Sequence, residues 1–179
     1  MVRFSNKPIG ILGGSFDPAH KGHLAISNIA IKKIKLSKVL WIVTNQNPFK
    51  GKTFYSLNQR ISKAKKITKN TKKIQVIHFE KAIGSSRSIN AINYLINKKK
   101  LKNIYFIIGS DNLIKFHKWK SWKKIVKLTK LIVFSRRGYD KKSKKSIVAK
   151  YLKNKIIFVK NKPILISSTN LRTQTLKNC

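Results

Sequence analysis

Acidic side chains are nearly missing from this chain. Its 179 residues include four, Asp17, Glu80, Asp111 and Asp140, against 42 lysines and arginines, for a formal net charge of +38. Carboxylates so few and so scattered cannot build an all-protein cage for a hard cation such as Mg²⁺, which is held by oxygen ligands. Cysteine is scarcer still: Cys179 stands alone, so no internal disulfide can form, and a reducing compartment suits the chain. With neither a cysteine cluster nor an acidic one, a zinc ligand set is incomplete as well. No run approaches the ~20 apolar residues that span a bilayer. Residues 1–8 hold no apolar segment of the signal-peptide kind. These absences lead us to expect a cytoplasmic protein with no membrane partner. Repeats, low-complexity tails and long linkers are also missing. Residues 1–179 are therefore expected to form one domain, long enough to bury roughly 70% of the surface the unfolded chain exposes.

The excess of positive charge ordinarily suggests a partner that is a nucleic acid or an acidic surface. Lysine outnumbers arginine 36 to 6, however, and is interleaved with isoleucine and asparagine through nearly every segment instead of forming a basic arm. A general compositional drift explains that pattern more simply. The charge still predicts attraction of phosphate-bearing ligands, adventitious polyanion binding and strong salt dependence. A basic nucleic-acid-binding module stands as the alternative from a different functional class.

Short apolar runs fall near 9–12, 39–44, 74–79, 104–108, 131–135, 156–159 and 164–166, with helical spacing between most of them. Strands alternating with helices predict an α/β fold, a Rossmann-like doubly wound sheet, mainly parallel, with helices on both faces. Its ligand belongs at the carboxyl ends of the strands.

The densest signal follows the first run: Gly13-Gly14-Ser15-Phe16-Asp17-Pro18-Ala19-His20-Lys21-Gly22-His23. From His20 to Ile34 the apolar residues take helical spacing, so a strand turns sharply into a helix here. Gly13 and Gly14 permit backbone angles closed to other residues and let a ligand approach the main chain. The helix start supplies unpaired N–H groups and a positive dipole end, which attract anions. His20 and His23 are one turn apart and share a face, and Gly22 between them leaves room for a phosphate against the backbone. Taken singly, Gly-Gly-Ser is a common turn, and a His-x-x-His pair can be surface decoration or a weak metal pair. Their joint position at a strand-to-helix junction favours phosphate binding.

This undecapeptide resembles the signature of the nucleotidyltransferases with the His-x-Gly-His motif, most closely the bacterial nicotinate-nucleotide adenylyltransferases of NAD biosynthesis. Two further segments extend the resemblance. Ile166-Ser167-Ser168-Thr169-Asn170-Leu171-Arg172 is similar to the family's Ile-Ser-Ser-Thr-x-x-Arg element. Its hydroxyls suit the start of a helix, which alone is an ordinary N-cap. Arg172, one turn inside, can lean back toward the same anion with its planar fork of donors. Ile104 to Asp111 ends in Gly-x-Asp and is followed by Phe116, Trp119 and Trp122, similar to the family's Gly-x-Asp and Phe-x-x-Trp-x-x-Trp segments. Gly109 allows close backbone approach and Asp111 suits the hydroxyls of a ribose. By spacing alone both tryptophans read as core. The resemblance implies that Trp119 stacks on a pyridine ring while Trp122 stays in the core.

The loop Asn47-Pro48-Phe49-Lys50 corresponds to one in which a lysine borders the site, so Lys50 is a candidate for neutralising substrate phosphate; one solvated lysine among many is the alternative. Ser56-Leu57-Asn58-Gln59-Arg60 looks like the family's helix start carrying an arginine. Where the family shows a Thr-x-Asp-Thr-like element, this chain has Ser86-Arg87-Ser88-Ile89-Asn90-Ala91, with a hydroxyl at Ser88 and Asn90 in place of the acid.

The resemblance implies adenylyl transfer from ATP to nicotinate mononucleotide, giving nicotinate adenine dinucleotide and pyrophosphate. It places His20, His23 and Arg172 on the phosphates, protonated imidazoles suiting the leaving group best. It implies ATP contacts from Gly13, Gly14, Ser15, Phe16, Gly22, Gly109, Asp111, Ser167, Ser168 and Thr169, and acceptor contacts from Asp17, Lys50, Ser88 and Trp119. Mg²⁺ is expected to arrive with ATP and not on a protein metal site. Nicotinamide mononucleotide and phosphopantetheine are the alternative acceptors.

Overall fold

The computed structural model describes residues 7–46, 51–161 and 166–177. Six strands form one sheet: β1 (Ile9–Gly14), β2 (Lys38–Val43), β3 (Ile74–Ile77), β4 (Ile104–Gly109), β5 (Lys130–Phe134) and β6 (Ile156–Val159). Their order across the sheet is β3-β2-β1-β4-β5-β6, and every neighbouring pair is parallel. Six of the expected runs are these strands, with ends that differ by no more than two residues. The seventh, at 164–166, lies mostly outside the described residues, and Ile166 itself is not in a strand.

The strands read as continuous apolar runs because both faces of a parallel sheet are covered. Successive side chains alternate between the faces. Ile9, Ile11, Ile42, Phe106, Ile108 and Val133 point to one face, packed by α4 (Ser88–Asn97), α5 (Ser110–Lys115), α6 (Trp122–Leu128) and α8 (Ile147–Leu152). Leu12, Val39, Trp41, Ile107, Ile132 and Phe134 point to the other, packed by α1 (Lys21–Ile34) and α2 (Leu57–Thr68). Gly10 is needed where α1 turns back into β2. A Cβ there would lie 2.9 Å from the Leu36 Cδ1 and 3.0 Å from both the Val39 Cγ2 and the Ile107 Cδ1.

After β1 the chain leaves toward the α1 face; after its neighbour β4 it leaves toward the α5 face. The two connections diverge, so a crevice opens past the carboxyl ends of β1 and β4, where doubly wound sheets hold their ligands. Three further helices, α3 (Glu80–Ile83), α7 (Asp140–Lys144) and α9 (Ser168–Lys177), lie beyond the carboxyl ends of the strands that precede them in the chain.

Candidate active site

The turn after β1 is built by its side chains more than by its glycines. Gly13 and Gly14 are the last two residues of β1 and neither has a positive φ; the left-handed residue is Phe16, at φ 48°. Of the two roles expected for these glycines, unusual backbone angles are not used, and open space beside the main chain is present. A Cβ on Gly13 would meet no atom within 4 Å, and one on Gly14 would meet only Phe16, at 3.8 Å. They leave bare main chain as the floor of the crevice. Phe16 is held in its unusual conformation by burial, its ring stacked on Trp41 at 5.0 Å.

His20 is the N-cap of α1 rather than its first helical residue. Its Nδ1 accepts the Gly22 N–H at 3.1 Å, and the His23 Nδ1 accepts the His20 N–H at 3.2 Å, a reciprocal capping box. The rings lie 3.8 Å apart, and His23 is backed by Phe16 at 4.9 Å and Trp41 at 5.9 Å. A ring whose Nδ1 accepts a hydrogen bond carries its proton on Nε2 when neutral. The two rings are tilted 36° to each other at the positive end of the helix. Ser27 completes the support: it donates to the His23 carbonyl at 2.8 Å and accepts from the Trp41 Nε1 at 2.8 Å.

Beneath this turn lies a fully buried arginine. Arg60 donates to the carbonyls of Tyr55 (3.1 Å), Ser15 (2.6 Å), Thr44 (2.7 Å) and Asn45 (2.8 Å), tying the β1–α1 and β2–α2 connections together. Burial pushes its guanidinium below the ordinary value, opposed by the charges of Asp17 and Glu80. Asp17 is also buried; its two carboxylate oxygens accept the N–H groups of Phe54 and Tyr55, both at 2.9 Å.

The Ser167–Arg172 motif closes over the first. Ser167 caps α9 by accepting the Asn170 N–H at 3.2 Å, and Ser168 donates to the Pro18 carbonyl at 2.9 Å. Arg172 donates to the Asp17 carbonyl at 2.6 Å and to the Thr169 hydroxyl at 3.2 Å, and sits 3.7 Å from the Asp17 carboxylate. Residues 155 positions apart in sequence thus meet in one place.

A cleft of about 440 Å³ opens beside them, lined by Gly13, Gly14, Thr44, Ser88, Lys118 and Trp119 among others. Trp119 is half-buried and leans on Phe116 at 4.9 Å, while Trp122 packs edge-on to Tyr151. Gly109 caps the start of α5 in extended backbone, and a Cβ on it would lie 2.5 Å from the Asp111 Oδ1. Asp111 pairs with Arg136 at 2.7 Å through Oδ2, and its buried Oδ1 accepts no hydrogen bond among the described residues. Lys50 lies outside the described residues. Sequence reasoning missed Trp41, Ser27 and Arg136. The Trp41–Ser27 and Arg136–Asp111 pairs join residues distant in the chain, and no local pattern marks them.

The cytidylyltransferase-like family profile matches residues 11–174. A protein of Pelagibacter ubique named "Probable nicotinate-nucleotide adenylyltransferase" is 50% identical over 92% of this chain and 91% of its own length. One of the same name from Methylorubrum extorquens is 35% identical over 73% of this chain and 71% of its own. Among solved structures, the Plasmodium falciparum nicotinic acid mononucleotide adenylyltransferase complexed with NaAD matches with a TM-score of 0.73 at 18% identity, covering 93% of this chain and 83% of that one. That likeness speaks to the fold, and the sequence identities carry the kinship. The chain belongs to the cytidylyltransferase-like family and, within it, to the nicotinate-nucleotide adenylyltransferases.

Proposed function

We propose that this protein transfers the adenylyl group of ATP to nicotinate mononucleotide, releasing pyrophosphate and forming the dinucleotide. The observation that carries this reading is the meeting of the β1–α1 turn with Arg172 and Thr169 of α9, beside a cleft floored by bare glycine backbone and walled by Trp119. Its size suits a mononucleotide.

An oxygen of the acceptor's phosphate attacks the α-phosphorus of ATP in line, and the bond from that phosphorus to the bridging oxygen of pyrophosphate breaks. No covalent protein intermediate is required; catalysis is positioning plus charge stabilisation. The Nε2–H groups of His20 and His23 donate to α- and β-phosphate oxygens as charge builds on the leaving group. Each Nη of Arg172 carries a second N–H beyond those bonded to Asp17 and Thr169, and these hold the outer phosphates together with Ser167 and Ser168. The Asp111 carboxylate accepts from the adenosine ribose, and Gly109, lacking a Cβ, leaves room for that carboxylate against the main chain. Trp119 stacks on the pyridine ring, and Ser88 contacts the acceptor. Asp17 acts by fixing residues 54–55 and Arg172. Among the described residues no group of three or more His, Cys, Asp or Glu can hold a metal ion. Mg²⁺ enters as part of the Mg·ATP substrate, ligated by phosphate and water. Among the described residues no helix is long and apolar enough to cross a membrane, and the lone cysteine fits a cytoplasmic enzyme.

The test is pyrophosphate release with Mg·ATP and, in parallel, nicotinate mononucleotide, nicotinamide mononucleotide or phosphopantetheine. Release specific to the first supports the reading. Release with another acceptor overturns the substrate, and none with any of the three overturns the activity.

A further inference from the structure

The four carboxylates are not scattered in space. Asp17, Glu80, Asp111 and Asp140 each lie within six residues after the carboxyl end of a strand: β1, β3, β4 and β5 respectively. The opposite end of the sheet, where the strands begin, has no acidic side chain. A drift in composition toward lysine explains many cations, but it does not sort the few acids to one end.

At that cationic end a cleft of about 1140 Å³ opens where α6 and α8 run down to the starts of β5 and β6. Six exposed lysines line it: Lys102 before β4, Lys123, Lys124 and Lys127 of α6, Lys130 opening β5, and Lys155 before β6. Tyr151 forms one wall. It is 55% exposed, braced edge-on by Trp122 at 5.2 Å, with the Lys123 ammonium 5.8 Å from its ring. The cleft exceeds the roughly 300–1,000 Å³ of a small-molecule pocket, and its lysines rim a floor that includes Ile104, Val126 and Leu131. A basic groove beside an exposed aromatic face is the chemistry that holds a single nucleic-acid strand, phosphates on cations and a base on the ring. A duplex keeps its bases paired and offers none to stack on Tyr151.

We propose that this cleft, at the end of the sheet opposite the adenylyl-transfer site, binds a segment of single-stranded nucleic acid. Its phosphates lie along the six lysines and one base stacks on Tyr151.

Fluorescence anisotropy with a labelled oligothymidylate of about 12 nucleotides tests this across a salt series. Two variants carry equal charge: Lys→Gln at all six cleft lysines, and Lys→Gln at Lys32, Lys33, Lys65, Lys66, Lys69 and Lys72, exposed residues of α1, α2 and the turn beyond. Removing one lysine that neutralises a phosphate lowers the slope of log K against log salt by about 0.7. The cleft variant should lose about 2–4 from that slope and the other less than about 1. Tyr151→Ala should weaken binding about tenfold while Tyr151→Phe keeps it. Both sixfold variants should retain pyrophosphate release, which shows that they are folded. If the cleft variant does not fold, Lys124→Gln with Lys127→Gln is expected to lower the slope by about 1.4. Equal losses in the two sixfold variants, no loss in the double variant, a duplex of equal length competing as well as the single strand, or an unaffected Tyr151→Ala would each overturn the proposal.

Discussion

Replacing Arg60 by Met removes a guanidinium that donates to four carbonyls from three stretches of chain, Ser15, Thr44–Asn45 and Tyr55. Hydrogen bonds to a charged group contribute about 1.5–3 kcal/mol each, so the gross loss is roughly 6–12 kcal/mol. Against it stands the desolvation of the buried cation, several kcal/mol, which the Met variant no longer suffers. Three of the four bonds are only partly buried, and water can reach their acceptors; the Arg60 bond to the Ser15 carbonyl is buried. The net loss should be about 3–5 kcal/mol, in the range seen when one member of a buried charged network is deleted. Arg60→Lys keeps a charge but lacks the fork, so it should lose less, about 2–3 kcal/mol. Urea unfolding followed by circular dichroism measures both. Because Thr44 lines the cleft and Ser15 belongs to the phosphate turn, KM for both substrates should rise in the Lys variant under conditions where it remains folded. A Met variant within about 1 kcal/mol of the parent protein would show that the four bonds contribute little net stability and would refute the reasoning.

His23→Ala should lower kcat about 10²–10³-fold, the effect of removing one preorganised donor, while thermal melts show a stability loss near 1 kcal/mol from the broken cap; near-normal turnover would remove His23 from the reaction. Gly10→Ala should destabilise by about 1–3 kcal/mol through overpacking. Gly13→Ala, facing open space, should leave stability within about 0.5 kcal/mol but raise KM for ATP, and the reverse order in the two variants would contradict their assignment. The Ser135 hydroxyl, ahead of the other causes, holds the Asp140 carboxyl below its ordinary 3.8. A depressed carboxyl stabilises the fold fully above the unfolded value and loses that contribution as the pH falls through the folded one. Asp140→Asn should therefore lower Tm at neutral pH, and the gap should narrow on acidification below 3.8. A gap that does not change with pH would refute the link.

The sheet is legible in the sequence because a strand buried on both faces must be apolar along its length, and a run such as Tyr105-Phe106-Ile107-Ile108 fits little else. The phosphate turn and α9 are legible as motifs, since capping hydroxyls and paired imidazoles carry local spacing. What those motifs rest on is not. The resemblance marks Arg60 at a helix start, but its place beneath the turn is not legible, because its acceptors are backbone carbonyls, which any residue type supplies. Gly10 passes as an unremarked strand residue, because the side chains that forbid a Cβ there come from Leu36, Val39 and Ile107. The Gly13-Gly14 pair suggests both a conformational and a spatial role, and the structure has only the spatial one; sequence shows that a side chain is absent but not whether backbone or ligand needs the room.

The bond from Arg172 to the Asp17 carbonyl also sets an order of events in the cell. At about 5–20 residues per second, the ribosome needs roughly 8–31 s to make the 155 residues between them. Throughout that interval the nascent chain displays the histidine turn without its arginine. An unfinished chain therefore carries the histidine turn for that time without the arginine that meets it in the finished fold.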